Sequence, residues 1–339
     1  MTHFRLTRKE PGFSLDVDFP LPPGITAVFG TAGSGKSLLL KLAAGLVTPH
    51  AGRVLFDDAI LYDAASRVEV PACRRGFGYL PPGDSLLPHM TLRENLRFAA
   101  DAFPRLDRHR RVTEALDRWQ LSPAAELYPN QLAPAQRLQG AIARMLIAEP
   151  KLLLLDHTAI TESLLLQIRA LTTAPILFAA GDLDLCCSTA SHMLVLDAGR
   201  IAQSGTPREI VDHPASVEVA RATGIPNVYQ GSVEALDPGR NTSLIQFEHF
   251  AVTAPYLPGR FRGDRIWVAI RPRDLRVLGS ASGPNCIVTR LVRASLRAEF
   301  ARLEFEDGIF ADLTLEEYAA GKDNKEWHVE FPPGALQIL

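Results

Sequence analysis

Gly30, Thr31, Ala32, Gly33, Ser34, Gly35, Lys36 and Ser37 fit the pattern GxxxxGK(S/T), which constrains this chain more than any other feature. In such a loop, backbone N–H groups wrap phosphate oxygens at the N-terminus of a helix. Gly30, Gly33 and Gly35 permit positive φ and a close approach of backbone to ligand. Lys36 supplies a point charge for the outer phosphates, and the Ser37 hydroxyl can ligate Mg²⁺. With glycine near 7% of average composition, a chance match in a chain of this length is on the order of one in a hundred. The flanks agree with the pattern. Residues 25–29 form a short apolar, β-rich run, and residues 37–46 are rich in leucine and alanine with Gly45 near the end. The order is strand, loop, helix.

A second buried strand is predicted at residues 151–156, KLLLLD, after an alanine-rich helix around 136–148 and a break at Pro150. Residues 176–180 and 193–196 read as two further core strands. Strands alternating with helices behind a phosphate loop predict a parallel sheet of the α/β class. Residues from about 83 to 149, which include RENLRFAADAF and RVTEALDRWQL, predict an inserted helical subdomain. The α/β domain is expected to span residues 1–215. At 339 residues, 47% of them hydrophobic, the chain can bury two cores.

From residue 223 to 339 the texture changes to short alternating runs broken by Gly, Pro and Asn, which suits small β-barrels of the oligomer-binding (OB) kind. This tail repeats itself. NVYQGSVEAL from Asn227, closing at WVAIRPRDLRVL, is echoed by NCIVTRLVRA from Asn285, closing at WHVEFPPGALQIL. Two related modules, about 227–278 and about 285–339, are the economical expectation.

Asp156 ends the LLLLD strand, where a carboxylate would face the Mg²⁺ shell beside the phosphates, so Ser37 and Asp156 are the expected metal ligands and ATP with Mg²⁺ the expected cofactors. A GTPase would carry an NKxD guanine motif, which is absent, and a small kinase would not need this tail. The net charge of −2 gives no overall basic surface, so nucleic acid is not expected as a partner. No apolar run reaches the roughly 18 residues of a membrane span, and the N-terminus lacks an apolar signal core, so a cytoplasmic location is expected. Cys73, Cys186, Cys187 and Cys286 have no metal-ligand spacing and are expected to be buried, reduced thiols.

Taken together, the stretches GITAVFGTAGSGKSLLLKLAAGLVTPHAGRVLFDD, RRGFGYLPPGDSLLPHMTLRENL, YPNQLAPAQRLQGAIARMLIAEPKLLLLD and DAGRIAQSGTPREI resemble the ATP-binding subunits of ABC transporters, most closely the molybdate, tungstate and sulfate importers. The likeness covers nearly the whole chain. It implies a homodimer or heterodimer of such subunits with ATP between them, a transmembrane permease as partner and a place at the inner face of the cell membrane. It also implies that the C-terminal barrels regulate the subunit or bind an oxyanion. Phe13 is the candidate for stacking on adenine. His89 and Met90 match a stretch near the permease contact, although a solvated loop fits them equally well.

Four positions depart from the family's catalytic pattern. Pro82 stands where a glutamine senses Mg²⁺ and the permease. Leu132-Ala133-Pro134-Ala135-Gln136 stands where a serine and two glycines form the signature loop, so a hydroxyl and one backbone donor are lost. His157 occupies the position of the glutamate that polarises water; it reads as a drifted residue with no catalytic part or as a replacement base, since a neutral imidazole can in principle accept a proton there. Gly181 replaces the switch histidine. Residues 157–162 also lack the aspartate of the usual dimer-contact loop, and the helix after them looks shortened. Lost γ-phosphate stabilisation alone predicts hydrolysis reduced by roughly 10²–10³. Two functions follow: a MgATP-binding importer subunit with weak hydrolysis, or a catalytically silent module that senses ATP or an oxyanion.

Overall fold

A computed structural model describes residues 2–83, 85–278, 285–322 and 324–339. The chain divides into two compact units, Met1–Arg208 and Glu209–Leu339.

The first unit opens with strands β1 (His3–Glu10) and β2 (Phe13–Pro20), followed by β3 (Ile25–Phe29), the glycine loop and helix α1 (Lys36–Ala44). Next come β4 (Ala51–Phe56), β5 (Ala59–Asp63), β6 (Val68–Glu69) and β7 (Phe77–Leu80). Three helices follow: α2 (Leu92–Ala99), α3 (Arg105–Arg118) and α4 (Pro134–Ile147). The unit closes with β8 (Leu152–Leu155), α5 (Glu162–Leu171), β9 (Ile176–Ala180), α6 (Leu183–Thr189), β10 (His192–Asp197) and β11 (Arg200–Gly205).

Two sheets result. One has the order β11-β10-β3-β9-β8-β7, parallel except for the β10–β11 pair. The runs ITAVF and LLLL are buried throughout, as strands covered on both faces must be. The other sheet, β2-β1-β4-β5-β6, is antiparallel and was not anticipated from the sequence. Its signal is the period-2 alternation of FSLDVDF, which buries Leu15, Val17 and Phe19 and exposes the residues between them. Leu39, Leu40 and Leu42 of α1 share one core cluster with residues of both sheets. Each such leucine contributes about 1.5–3 kcal/mol by its burial.

The helical segment is fixed by local chemistry. Thr91 and Glu94 form a reciprocal cap that starts α2. Asn95 is fully buried, accepts from the Leu87 N–H and donates to Leu87, Met90 and Thr91 carbonyls. That network holds the loop bearing the exposed His89.

In the second unit, helices α7 (Pro207–Asp212), which begins at the division, and α8 (Val217–Ala222) precede strands β12 (Asn227–Asp237), β13 (Thr242–Gln246), β14 (Ala251–Pro255), β15 (Arg265–Ile270) and β16 (Arg276–Leu278). After these come β17 (Cys286–Thr289), β18 (Leu291–Leu296), β19 (Phe300–Phe305), β20 (Phe310–Thr314), α9 (Leu315–Gly321), β21 (Trp327–Glu330) and β22 (Gln337–Ile338). The compact units meet at residue 208, within the 1–215 expected for the α/β domain, and Arg271 and Gln337 of the β-rich part hydrogen-bond Val211 and Asp212.

Among the described residues of this unit, pairing is antiparallel, in sheets ordered β14-β13-β12-β15-β22, β16-β21-β17 and β18-β19-β20. The closing strands are exchanged between the two halves. β22, from the second half, pairs with β15 of the first, and β16, from the first half, pairs with β21 of the second. One core holds Val233, Ile245, Val268, Leu303, Phe305 and Val329 together.

The four cysteines are free thiols, but burial holds only for Cys186; Cys73 and Cys187 are exposed and Cys286 is intermediate. Cys187 follows Cys186 on a short helix, so the two side chains leave it in different directions.

Candidate functional site

The ends of neighbouring parallel strands gather most of the residues singled out in the sequence. β3 delivers Gly30, β9 delivers Gly181, and β8 delivers Asp156 and His157, with Phe29 beside Ala180 and Leu155 beside Phe178 in register. Ligands of open α/β sheets sit at this carboxyl edge.

The glycine loop is shaped as the pattern requires. Gly33 and Gly35 have φ of 82° and 106°, in the left-handed region. At Gly35 a Cβ would also lie 2.8 Å from the ring of Phe13. Phe13 therefore packs against the loop itself, on the side where β2 approaches it. Gly30 has no room for a side chain either, since a Cβ would lie 2.3 Å from the Leu196 carbonyl oxygen. Lys36 opens α1, and its ammonium curls back to donate to the Gly30 and Thr31 carbonyls, 2.7 Å each. Burial holds that ammonium below its ordinary pKa, and the charge of Asp156 opposes the shift. A half-buried cation at the first turn of a helix, behind a glycine loop, suits an anion, and its chemistry fits a polyphosphate.

Ser37 and Asp156, far apart in sequence, meet directly: the Ser37 hydroxyl donates to Asp156 Oδ1 at 2.8 Å. Asp156 is 4% exposed, and a second hydroxyl, from Tyr79, donates to its other oxygen at 3.1 Å. Burial chiefly, then the charge and hydrogen bond of Asp156, push the Tyr79 hydroxyl far above its usual pKa, so it stays protonated. Tyr79 went unnoticed in the sequence because a tyrosine inside an apolar strand has an ordinary core reading; only the pairing of β7 beside β8 reveals its partner. A hydroxyl and a buried carboxylate at a phosphate cradle form an oxygen donor set suited to Mg²⁺, which takes one or two such protein ligands and completes its shell with water and phosphate.

His157 Nδ1 accepts the backbone N–H of Ala159 at 3.1 Å. In the neutral ring this places the proton on Nε2, so neither nitrogen keeps a free lone pair. The imidazole lines a cavity of about 420 Å³ together with Gly83, Leu86, Pro134, Leu138 and Ala159. Pro134 is the first residue of α4, where its missing N–H costs the helix nothing. Gln136 accepts the Ala133 N–H at 3.0 Å, the N3 half of a capping box, while Ala133 has no side-chain oxygen to give the other half that a serine hydroxyl would supply. Gly181 has open space around it, since a Cβ there would meet nothing within 4 Å. Pro82 is exposed on the segment that follows β7.

These features define the class: an α/β P-loop domain built to hold a nucleotide's phosphates with a metal ion. Comparison with known proteins agrees. The ABC transporter family model matches residues 15–159. The spermidine/putrescine import ATP-binding protein PotA of Aliivibrio fischeri is 33% identical, over 83% of this chain and 76% of that protein. The molybdenum import ATP-binding protein ModC of Rhizobium etli is 29% identical, over 80% of this chain and 81% of that one. Among solved structures, cbiO1 from Clostridium perfringens, part of an ABC transporter complex, superposes with a TM-score of 0.54 at 23% identity, covering 65% of this chain and 92% of its own. The chain belongs to the ABC transporter family as an ATP-binding subunit, with ATP and Mg²⁺ as its cofactors. Among the described residues, no helix is long and apolar enough to cross a membrane.

Proposed function

We propose that this chain binds MgATP as the nucleotide-binding subunit of an importer for an oxyanion such as molybdate, and that it hydrolyses ATP slowly. The observation that carries the reading is the Ser37–Asp156 contact at the mouth of the glycine loop. In it, Gly30, Thr31, Ala32, Gly33, Ser34, Gly35, Lys36 and Ser37 hold the phosphates, and Ser37 with Asp156 holds Mg²⁺. The partners are a transmembrane permease and a second nucleotide-binding subunit, identical or different, at the inner face of the membrane.

Slow hydrolysis is supported by chemistry at three places. His157, with Nδ1 engaged by Ala159 and the proton on Nε2, has no lone pair to take a proton from water. Pro134 offers no N–H, and Gly181 offers no side chain, to a terminal phosphate. The same observations favour the second reading, a catalytically silent ATP sensor, if turnover is absent altogether.

For the oxyanion, support comes from the relative named for molybdenum import and from the second unit itself. There a cavity of about 910 Å³ is lined by Arg273, Arg276, His213 and Gln337, with the Asp274 carboxylate also on its wall. Arg273 and Arg276 stand 3.9 and 3.8 Å from Asp274 and Glu330, so an anion entering would compete for cations that are only loosely paired. We read the exchanged strands around it as the paired small barrels of the oligomer-binding kind. The relative named for polyamine import sets the alternative cargo, a cation.

The deciding experiment measures MgATP turnover beside equilibrium binding of a fluorescent ATP analogue, for the wild type and Lys36→Ala. Binding lost in Lys36→Ala with slow wild-type turnover supports the reading. Unchanged affinity in Lys36→Ala would sink the phosphate-site assignment, and binding with no turnover would favour the sensor. Calorimetry with molybdate and with spermidine separates the cargo readings.

A further inference from the structure

We infer that Tyr79 is a positioning residue that orients the Asp156 carboxylate toward Mg²⁺. The inference rests on the MgATP reading above and adds a residue to it.

The geometry is specific. Asp156 follows β8, and its N–H donates to the Leu80 carbonyl at 2.8 Å, so the end of β7 pins its backbone. Tyr79 lies one residue earlier on β7, opposite Leu154 in register. From there its hydroxyl reaches Oδ2 of Asp156, while Ser37 reaches Oδ1. The two carboxylate oxygens are thereby differentiated. Oδ2 is tied to a ring that is rigid and half-buried in the strand layer, and Oδ1 points to the loop residue expected on the metal.

The demand for such a tie follows from the segment beyond β7. Pro82 has no amide or hydroxyl to offer a metal. Among the described residues, Ser37 and Asp156 are the side chains assigned to the metal, and Mg²⁺ tolerates little deviation from octahedral geometry. A carboxylate free to rotate or to turn both oxygens to the metal would lose that geometry. Groups that hydrogen-bond a metal's ligands typically govern affinity by about 10–100-fold.

The test uses the full chain with Tyr79→Phe, which keeps the ring and removes only the hydroxyl. Binding of a fluorescent ATP analogue is titrated with Mg²⁺, and separately measured in EDTA. The expected result is a half-saturating Mg²⁺ concentration raised by about 10–100-fold, with affinity in EDTA unchanged. In an Asp156→Asn background the same substitution has no further effect on the Mg²⁺ curve. Superimposed Mg²⁺ curves for Tyr79→Phe and wild type overturn the inference. So does an equal loss of affinity in EDTA, which marks a merely structural role. Failure of the parent reading looks different, because the wild type itself would then bind no analogue in either condition.

Discussion

Asn227 and Asn285 hold corresponding places in the two halves of the second unit, and each clamps the backbone of the other half. Asn227 donates to the Phe310 carbonyl and accepts its N–H, both at 2.7 Å. Asn285 does the same to Thr253, at 2.8 and 2.7 Å, and donates also to the Phe331 carbonyl at 2.9 Å. Both side chains are almost wholly buried. The clamps and the exchanged strands β16 and β22 make each half depend on the other.

Asn227→Ala or Asn285→Ala therefore leaves both backbone groups of Phe310 or Thr253 without a partner in the interior. The expected loss is about 1–3 kcal/mol for each variant, and each also loses a third bond, from the Tyr229 hydroxyl to Asn227 or from Asn285 to the Phe331 carbonyl. Denaturant unfolding followed by fluorescence of Trp267 and Trp327 measures it. Expressed separately, residues 209–278 and 285–339 are expected to show no cooperative transition, since each lacks the strand the other supplies. A stable fragment would contradict the mutual dependence.

Arg75 makes a comparable tie at the far end of α1 from the glycine loop. Its guanidinium is 4% exposed and donates to the Ala43 carbonyl at the end of α1 and to the Val70 carbonyl, both at 2.9 Å. Burial lowers its pKa, but a guanidinium stays charged across the accessible range. Gly45, at φ 76°, leaves the space it fills, since a Cβ there would lie 2.5 Å from it. Arg75→Met is expected to destabilise the first unit by about 1.5–3 kcal/mol through the lost charge-assisted bonds. Gly45→Ala should do so as well, by clash and by strain. Thermal unfolding read at Trp119, the one tryptophan of the first unit, checks both.

Cys186 supplies the pH prediction. Burial first, then the neighbouring Cys187 and Asp182, push its thiol up to about 12. The folded state thus favours the neutral thiol. Its contribution is fully present below the unfolded pKa of about 8.5 and is lost as pH climbs toward the folded value. Cys186→Ala should flatten the alkaline decline of unfolding free energy over that window. Iodoacetamide near neutral pH should modify the exposed Cys73 and Cys187 and spare Cys186, with mass spectrometry locating the label.

Much of the first unit was legible because its signals are local. The apolar runs of β3, β8 and β9 and the glycine spacing need no partner to be recognised. Likewise the repeated Asn and Trp positions set the expectation of two related halves. What the halves do to one another was not legible, because strand exchange is set by long-range pairing, and β22 spans only Gln337–Ile338. The contacts of Asp156 divide in the same way. Ser37 was predicted from the motif, whereas Tyr79 becomes meaningful only through the register of β7 on β8. For His157 the sequence left open a drifted residue or a replacement base, and the Ala159 N–H on Nδ1 favours the first.

That last contact fixes the outcome of attempts to restore hydrolysis. His157→Glu supplies a carboxylate with free lone pairs but leaves the terminal phosphate without donors from Pro134 and Gly181, so alone it is expected to raise turnover less than about tenfold. Gly181→His finds open space for its side chain. Pro134→Gly restores an N–H at the start of α4 while losing a pre-set φ, at a cost of about 0.4–1 kcal/mol. Groups that act on one transition state are non-additive, so the triple variant is expected to exceed the product of the single effects. Steady-state hydrolysis of the three single variants and the triple, with Lys36→Ala as the blank, decides it. Full recovery from His157→Glu alone would mean the donors at 134 and 181 are dispensable, and the weak-hydrolysis reading would then rest on the missing base alone.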